Sequence, residues 1–162
     1  MEVPDDSKRR ESMEMCKSVY EKIIGHARRE MPLEACGYLG GNGRTALDAY
    51  SLTNIDKSGE HFSFDPKEQF EAVRAMRKRK QRAVAVYHSH PETPARPSQE
   101  DIRLAFDPEI IHVIVSLAAA EPEVRAFRIV KKEVTEEPLV VIEGLRDKPE
   151  NQERQWNVKS SR

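Results

Sequence analysis

Ala83-Val84-Ala85-Val86-Tyr87-His88-Ser89-His90-Pro91 begins as an apolar run without alternation and ends on two imidazoles. Five apolar residues in succession predict a strand covered on both faces, as in the interior of an α/β sheet. Residues i and i+2 of an extended chain share a face, so His88 and His90 point the same way at the strand's carboxyl end. A loop containing Pro91, Pro94 and Pro97 follows, and Ser98-Gln99-Glu100-Asp101 opens a short helix. Ser98 and Asp101, three apart, lie on one helical face. Two imidazoles and a carboxylate are the ligand count of a catalytic zinc site whose fourth position is left for water.

Each part has a plainer reading. Ser-x-x-Asp alone is a capping box, and a lone histidine at a strand end is usually solvated. The combination at this spacing points to a metal instead. A closed structural zinc site is disfavoured, because such sites are usually built from several thiolates and none lies nearby. Zinc lowers the pKa of bound water from 15.7 to about 7, and a neighbouring carboxylate can take its proton and pass it to a leaving amine. Glu34, in Pro32-Leu33-Glu34-Ala35-Cys36-Gly37, enters an apolar stretch; by local sequence it reads only as an exposed connector.

Outward from this centre, the pattern is that of an α/β protein with a mixed central sheet and flanking helices. Residues 14–30 predict a helix with Val19, Ile23 and Ala27 as its buried stripe, ended by Pro32. The run 35–40, the Gly40-Gly41-Asn42-Gly43 turn and residues 44–53 predict a β-hairpin. His61-Phe62-Ser63-Phe64 reads as a short strand. Asp65 then caps a helix with Pro66 at its first position and Phe70, Val73 and Met76 facing inward. Residues 110–117, 124–130 and 138–142 complete the strands. The expected division is a flexible arm over 1–12, one domain over 13–144 and a charged, disordered tail over 145–162.

A chain of 162 residues with 27 basic and 28 acidic side chains fits one domain with its own core. Near-zero net charge offers no global attraction to nucleic acid or an anionic membrane. No apolar run approaches a membrane span, and the charged first 15 residues lack a signal core, so a cytoplasmic protein is expected. Cys16 and Cys36 are too few for a disulfide framework, and Cys36 reads as a small buried thiol. The cationic run 77–82 suits a helix C-terminus. His112 reads as a satisfied sheet histidine, His26 as a surface residue and His61 as solvated.

The set Glu34 … His88-Ser89-His90-Pro91 … Ser98-Gln99-Glu100-Asp101 resembles the signature of the JAMM (MPN-plus) metallopeptidases: an upstream Glu, His-x-His-Pro, six residues, then Ser-x-x-Asp. Every position is filled at the expected spacing, and softer similarity runs from about residue 13 to 143, including Asn54. The resemblance implies a single-domain MPN-like fold, Zn²⁺ held by His88, His90 and Asp101, Glu34 as general base and acid, and Ser98 as donor to the oxyanion. It implies hydrolysis after the C-terminal glycines of ubiquitin-like proteins. Short connections around the groove resemble compact prokaryotic members, for which a small sulfur-carrier protein ending in Gly-Gly is the implied substrate. An extended tail could add beside a sheet edge, with residues 52–64 as the expected edge. A homodimer stays open. The alternative is a non-catalytic MPN scaffold, disfavoured because all metal-site residues are retained. A zinc deaminase needs His-x-Glu and Pro-Cys-x-x-Cys, which the sequence lacks.

Overall fold

The computed structural model describes residues 12–143; the arm over 1–12 and the tail over 145–162 fall almost wholly outside that span. The chain runs β1 (Met13–Cys16), α1 (Lys17–Glu30), β2 (Cys36–Asn42), β3 (Thr45–Leu52), α2 (Pro66–Lys78), β4 (Arg82–His90), α3 (Gln99–Arg103), β5 (Ile111–Ser116), β6 (Glu123–Val130), β7 (Glu133–Glu137) and β8 (Leu139–Ile142).

The eight strands form one mixed sheet in the order β7-β6-β5-β4-β2-β3-β1-β8. β4 lies inside it, antiparallel to β2 and parallel to β5, which accounts for its unbroken apolar run. The sheet's two ends, β7 and β8, are consecutive in the chain and separated only by Pro138. This strand pair therefore joins the flank of β6 to the flank of β1 and bends the sheet round. Glu137, buried at the junction, is held by the guanidinium of Arg44 and by Arg128 Nε at 2.9 Å.

α1 packs on one face, where Val19, Ile23 and Ala27 meet Met13, Leu39, Ala85, Val113 and Val115. Complete burial of each large aliphatic side chain contributes about 1.5–3 kcal/mol. α2 covers part of the other face through Ala72 and Met76, which pack against Cys36, Tyr38 and Leu52. Asp65 accepts from Lys67 N at 2.9 Å and Pro66 occupies the first turn, as the sequence predicts. At the far end of α2, Arg79 stacks on Tyr50. No helix among the described residues is long and apolar enough to cross a membrane.

Several local expectations are corrected. The first helix begins at Lys17, because Met13–Cys16 pairs in parallel with β3 and β8 and buries Met13 and Met15 on the strand's period of two. Phe70 does not face inward: it is 63% exposed, and Ala72 and Met76 form the buried stripe. Residues 61–64 are not a strand, and 52–64 is no sheet edge. Only an Asn54–Phe64 bridge forms, because the Asn54 side chain occupies the backbone groups that a ladder would use. β7 was not expected from the sequence. His26 is buried, 5% exposed, with Nδ1 2.8 Å from the Tyr87 hydroxyl.

Candidate metal centre

The last residues of β4 and the first turn of α3 bring three ligand atoms together. His88 Nε2 and His90 Nε2 lie 3.1 Å apart, and Asp101 Oδ2 is 3.1 Å from the first and 3.3 Å from the second. Tetrahedral zinc with bonds of about 2.0–2.1 Å separates its ligands by about 3.3–3.4 Å, so the donor types and their spacing fit that ion.

Local structure fixes each donor. His90 Nδ1 donates to Pro94 O at 2.9 Å, which leaves the Nε2 lone pair facing its neighbours. Phe62 stacks on His88, with ring centroids 4.8 Å apart. The Pro-rich loop is anchored by Ser116 Oγ, which donates to Thr93 O at 2.6 Å, and by Ala95, buried against Ile114 and Phe127. Ser98 Oγ accepts from Asp101 N at 3.0 Å, while Ser98 N donates to Asp101 Oδ2 at 2.9 Å. The capping box is thus real, and it aims the Asp101 carboxylate at the histidines. Burial works against ionisation of Asp101, but the adjoining imidazoles of His88 and His90 and the N–H of Ser98 outweigh it and hold the carboxyl well below its usual range.

Glu34 is not the exposed connector that its local sequence suggests. It is 3% exposed, and its Oε1 has no hydrogen-bond partner. Burial lifts its carboxyl to about 8, opposed by the field of His90 and reinforced by that of Asp101. A buried, partnerless carboxylate oxygen beside three convergent ligands is a group poised for a proton or a water.

Sequence reasoning assigned no role to Ser89, Asn54 and Phe62, all of which contact the site's framework. A buried hydroxyl between the two ligands was the available signal for Ser89, since it must find a partner. His112 is not satisfied as expected: its Nε2 is buried without a partner. It lines a cavity of about 540 Å³ beside His88 and Asp101, with Phe62, Leu104 and the 84% exposed Phe106 also on its wall. His61, on the same wall, is paired with Asp56 at 2.9 Å. Cys36 is a buried free thiol, as predicted.

Among known proteins, the family described as prokaryotic homologs of the JAB domain matches residues 16–130. A CysO-cysteine peptidase of Mycobacterium tuberculosis is 40% identical over 124 residues, covering 75% of this chain and 85% of that protein. A solution structure from Desulfitobacterium hafniense superposes with a TM-score of 0.76 at 45% identity, covering 84% of this chain and 97% of that one. A JAB1/MPN domain protein from Archaeoglobus fulgidus shares the fold, with a TM-score of 0.53 at 21% identity over 79% of this chain and 99% of that one.

Proposed function

The chain belongs to the prokaryotic homologs of the JAB domain, a compact JAMM-type family, and from that premise we propose that it is a zinc metallopeptidase. Its substrate in this reading is a ubiquitin-like or sulfur-carrier protein, hydrolysed after the C-terminal Gly-Gly. The observation that carries the reading is the meeting of His88, His90 and Asp101 beside the buried, partnerless Glu34 Oε1. The relative named for CysO–cysteine supports a carrier tail as the acyl group and an amino acid as the leaving group.

Zinc held by His88, His90 and Asp101 would supply Lewis acidity, polarising the scissile carbonyl and acidifying water. Glu34 takes a proton from the attacking water and returns it to the departing amine. This role fits a carboxyl whose burial has already raised its proton affinity. Ser98 uses its oxygen to accept from Asp101 N, and its hydroxyl hydrogen is the donor offered to the oxyanion that develops on the substrate.

The test is mass spectrometry of a sulfur-carrier protein extended by one cysteine beyond Gly-Gly, incubated with zinc-loaded protein. We expect cleavage after the last glycine. Glu34→Gln should cut about 10²–10⁴-fold more slowly while binding one zinc per chain. An intact carrier, or equal turnover by Glu34→Gln, overturns the reading.

A further inference from the structure

Resting on this assignment of Glu34, we propose that Asn54 and Ser89 are positioning residues that together fix the general base against the metal ligands. The peptide of Glu34 is held on both sides by the 53–65 loop. Its N–H donates to Ser58 O at 2.8 Å, and its carbonyl accepts from Asn54 Nδ2 at 3.1 Å. The next residue is held by the ligand-bearing strand. Ala35 N donates to Ser89 Oγ at 2.7 Å, and Ser89 N donates to Ala35 O at 2.9 Å. Glu34 therefore sits between two clamps, one of which is the hydroxyl between the two histidine ligands.

Asn54 also holds the loop itself. Its Nδ2 donates to Ser58 O at 3.3 Å and His61 O at 3.0 Å, and its Oδ1 accepts from Asp56 N at 3.0 Å and Ser63 N at 3.2 Å. Between His61 and Ser63 stands Phe62, whose ring stacks on His88. One buried amide thus ties the segment bearing the base to the segment covering a ligand. Among natural side chains, only a short carboxamide presents two donors and an acceptor at this reach. Asparagine meets all five partners, with one of its two amide hydrogens shared between two of the three carbonyls. A base displaced by about 1 Å can lose 10²-fold in rate, so a clamp of this kind acts on catalysis without touching the substrate.

The experiment uses zinc-loaded full chain in three forms: wild type, Asn54→Ala and Ser89→Ala. Asn54→Asp serves as a fourth form, because it keeps the acceptor for Asp56 N and Ser63 N but removes the donor to Glu34 O. For all variants we expect kcat on the cysteine-extended carrier to fall about 10–100-fold, with KM within about threefold of wild type and one zinc retained per chain. Amide hydrogen exchange reads the clamps directly. The Glu34 amide should exchange at least about 10-fold faster in Asn54→Ala, and the Ala35 amide likewise in Ser89→Ala, while the Tyr87 amide is unchanged. Unchanged kcat overturns the proposal, as does a loss of turnover that follows a loss of zinc or global unfolding. If wild type cuts no Gly-Gly carrier, the proposed function fails, and the Glu34 and Ala35 exchange rates alone decide the clamp.

Discussion

In the metal-free protein burial raises the Glu34 carboxyl from its ordinary 4.5 to about 8, and a dication bound beside it would favour the carboxylate that a general base needs. Below pH 4.5 the group is protonated whether or not the chain is folded, and it subtracts nothing from stability. Between pH 4.5 and about 8 the unfolded chain has ionised this carboxyl while the folded chain keeps it protonated, so stability is lost across that window and levels off once pH has passed the folded value. The Tm of metal-free wild type should therefore fall relative to metal-free Glu34→Gln between pH 4.5 and about 8; parallel curves would mean a solvated carboxyl. For the ligands, Asp101→Asn should weaken zinc binding by more than the 10–100-fold typical of a lost supporting contact, and His88→Ala should weaken it further. Competition against a chromophoric chelator measures both. The convergence of His88, His90 and Asp101 was legible because strand and helix periods place them on facing sides. The Ser98 cap was legible in Ser-x-x-Asp itself, and the structure forms both of its hydrogen bonds. The burial of Glu34 and the orphaned nitrogen of His112 depend on what distant segments lay over them, and no local pattern carries that information. His26 was partly legible: it falls three residues after Ile23 and beside Ala27, on the edge of the stripe already identified.

At the scale of elements, β2 approaches its neighbours so closely that Gly37 leaves no room for a methyl group. A Cβ there would lie 2.3 Å from Tyr50 O and 2.6 Å from the Tyr87 ring. Gly37→Ala is expected to destabilise the protein by about 1–3 kcal/mol, read as a lower midpoint in urea. Asp65→Ala, which removes the cap of α2, should cost about 1 kcal/mol and leave zinc affinity unchanged, because α2 contributes no ligand. The elements that sequence reasoning placed correctly, such as β4 and the β2–β3 hairpin, have strong internal signals: an apolar run in one, a glycine-rich turn in the other. Those it misplaced are short or ambiguous. Met13–Cys16 is four residues long and becomes a strand only because β3 and β8 flank it. The 61–64 segment has strand-like alternation, but the Asn54 side chain takes its hydrogen bonds.

Across the whole molecule, the Glu137 contacts hold the bent sheet at its seam. Glu137→Ala should lower stability by about 1–3 kcal/mol, since the guanidinium groups of Arg44 and Arg128 lose a buried acceptor but retain some access to water. Zinc stoichiometry should stay at one per chain, because the seam lies outside the ligand set; chemical denaturation and metal analysis on the same sample check both. The seam also orders events in time. β1 is made early and β8 last, yet β8 is one of the two partners of β1. Until β8 emerges, β3 is the one strand available to pair with β1, although His88, His90 and Asp101 have all been synthesised by residue 101. Closure of the sheet is the most non-local contact of the fold, the kind that slows folding, and an unclosed intermediate presents an unpaired β1 flank to any neighbouring chain.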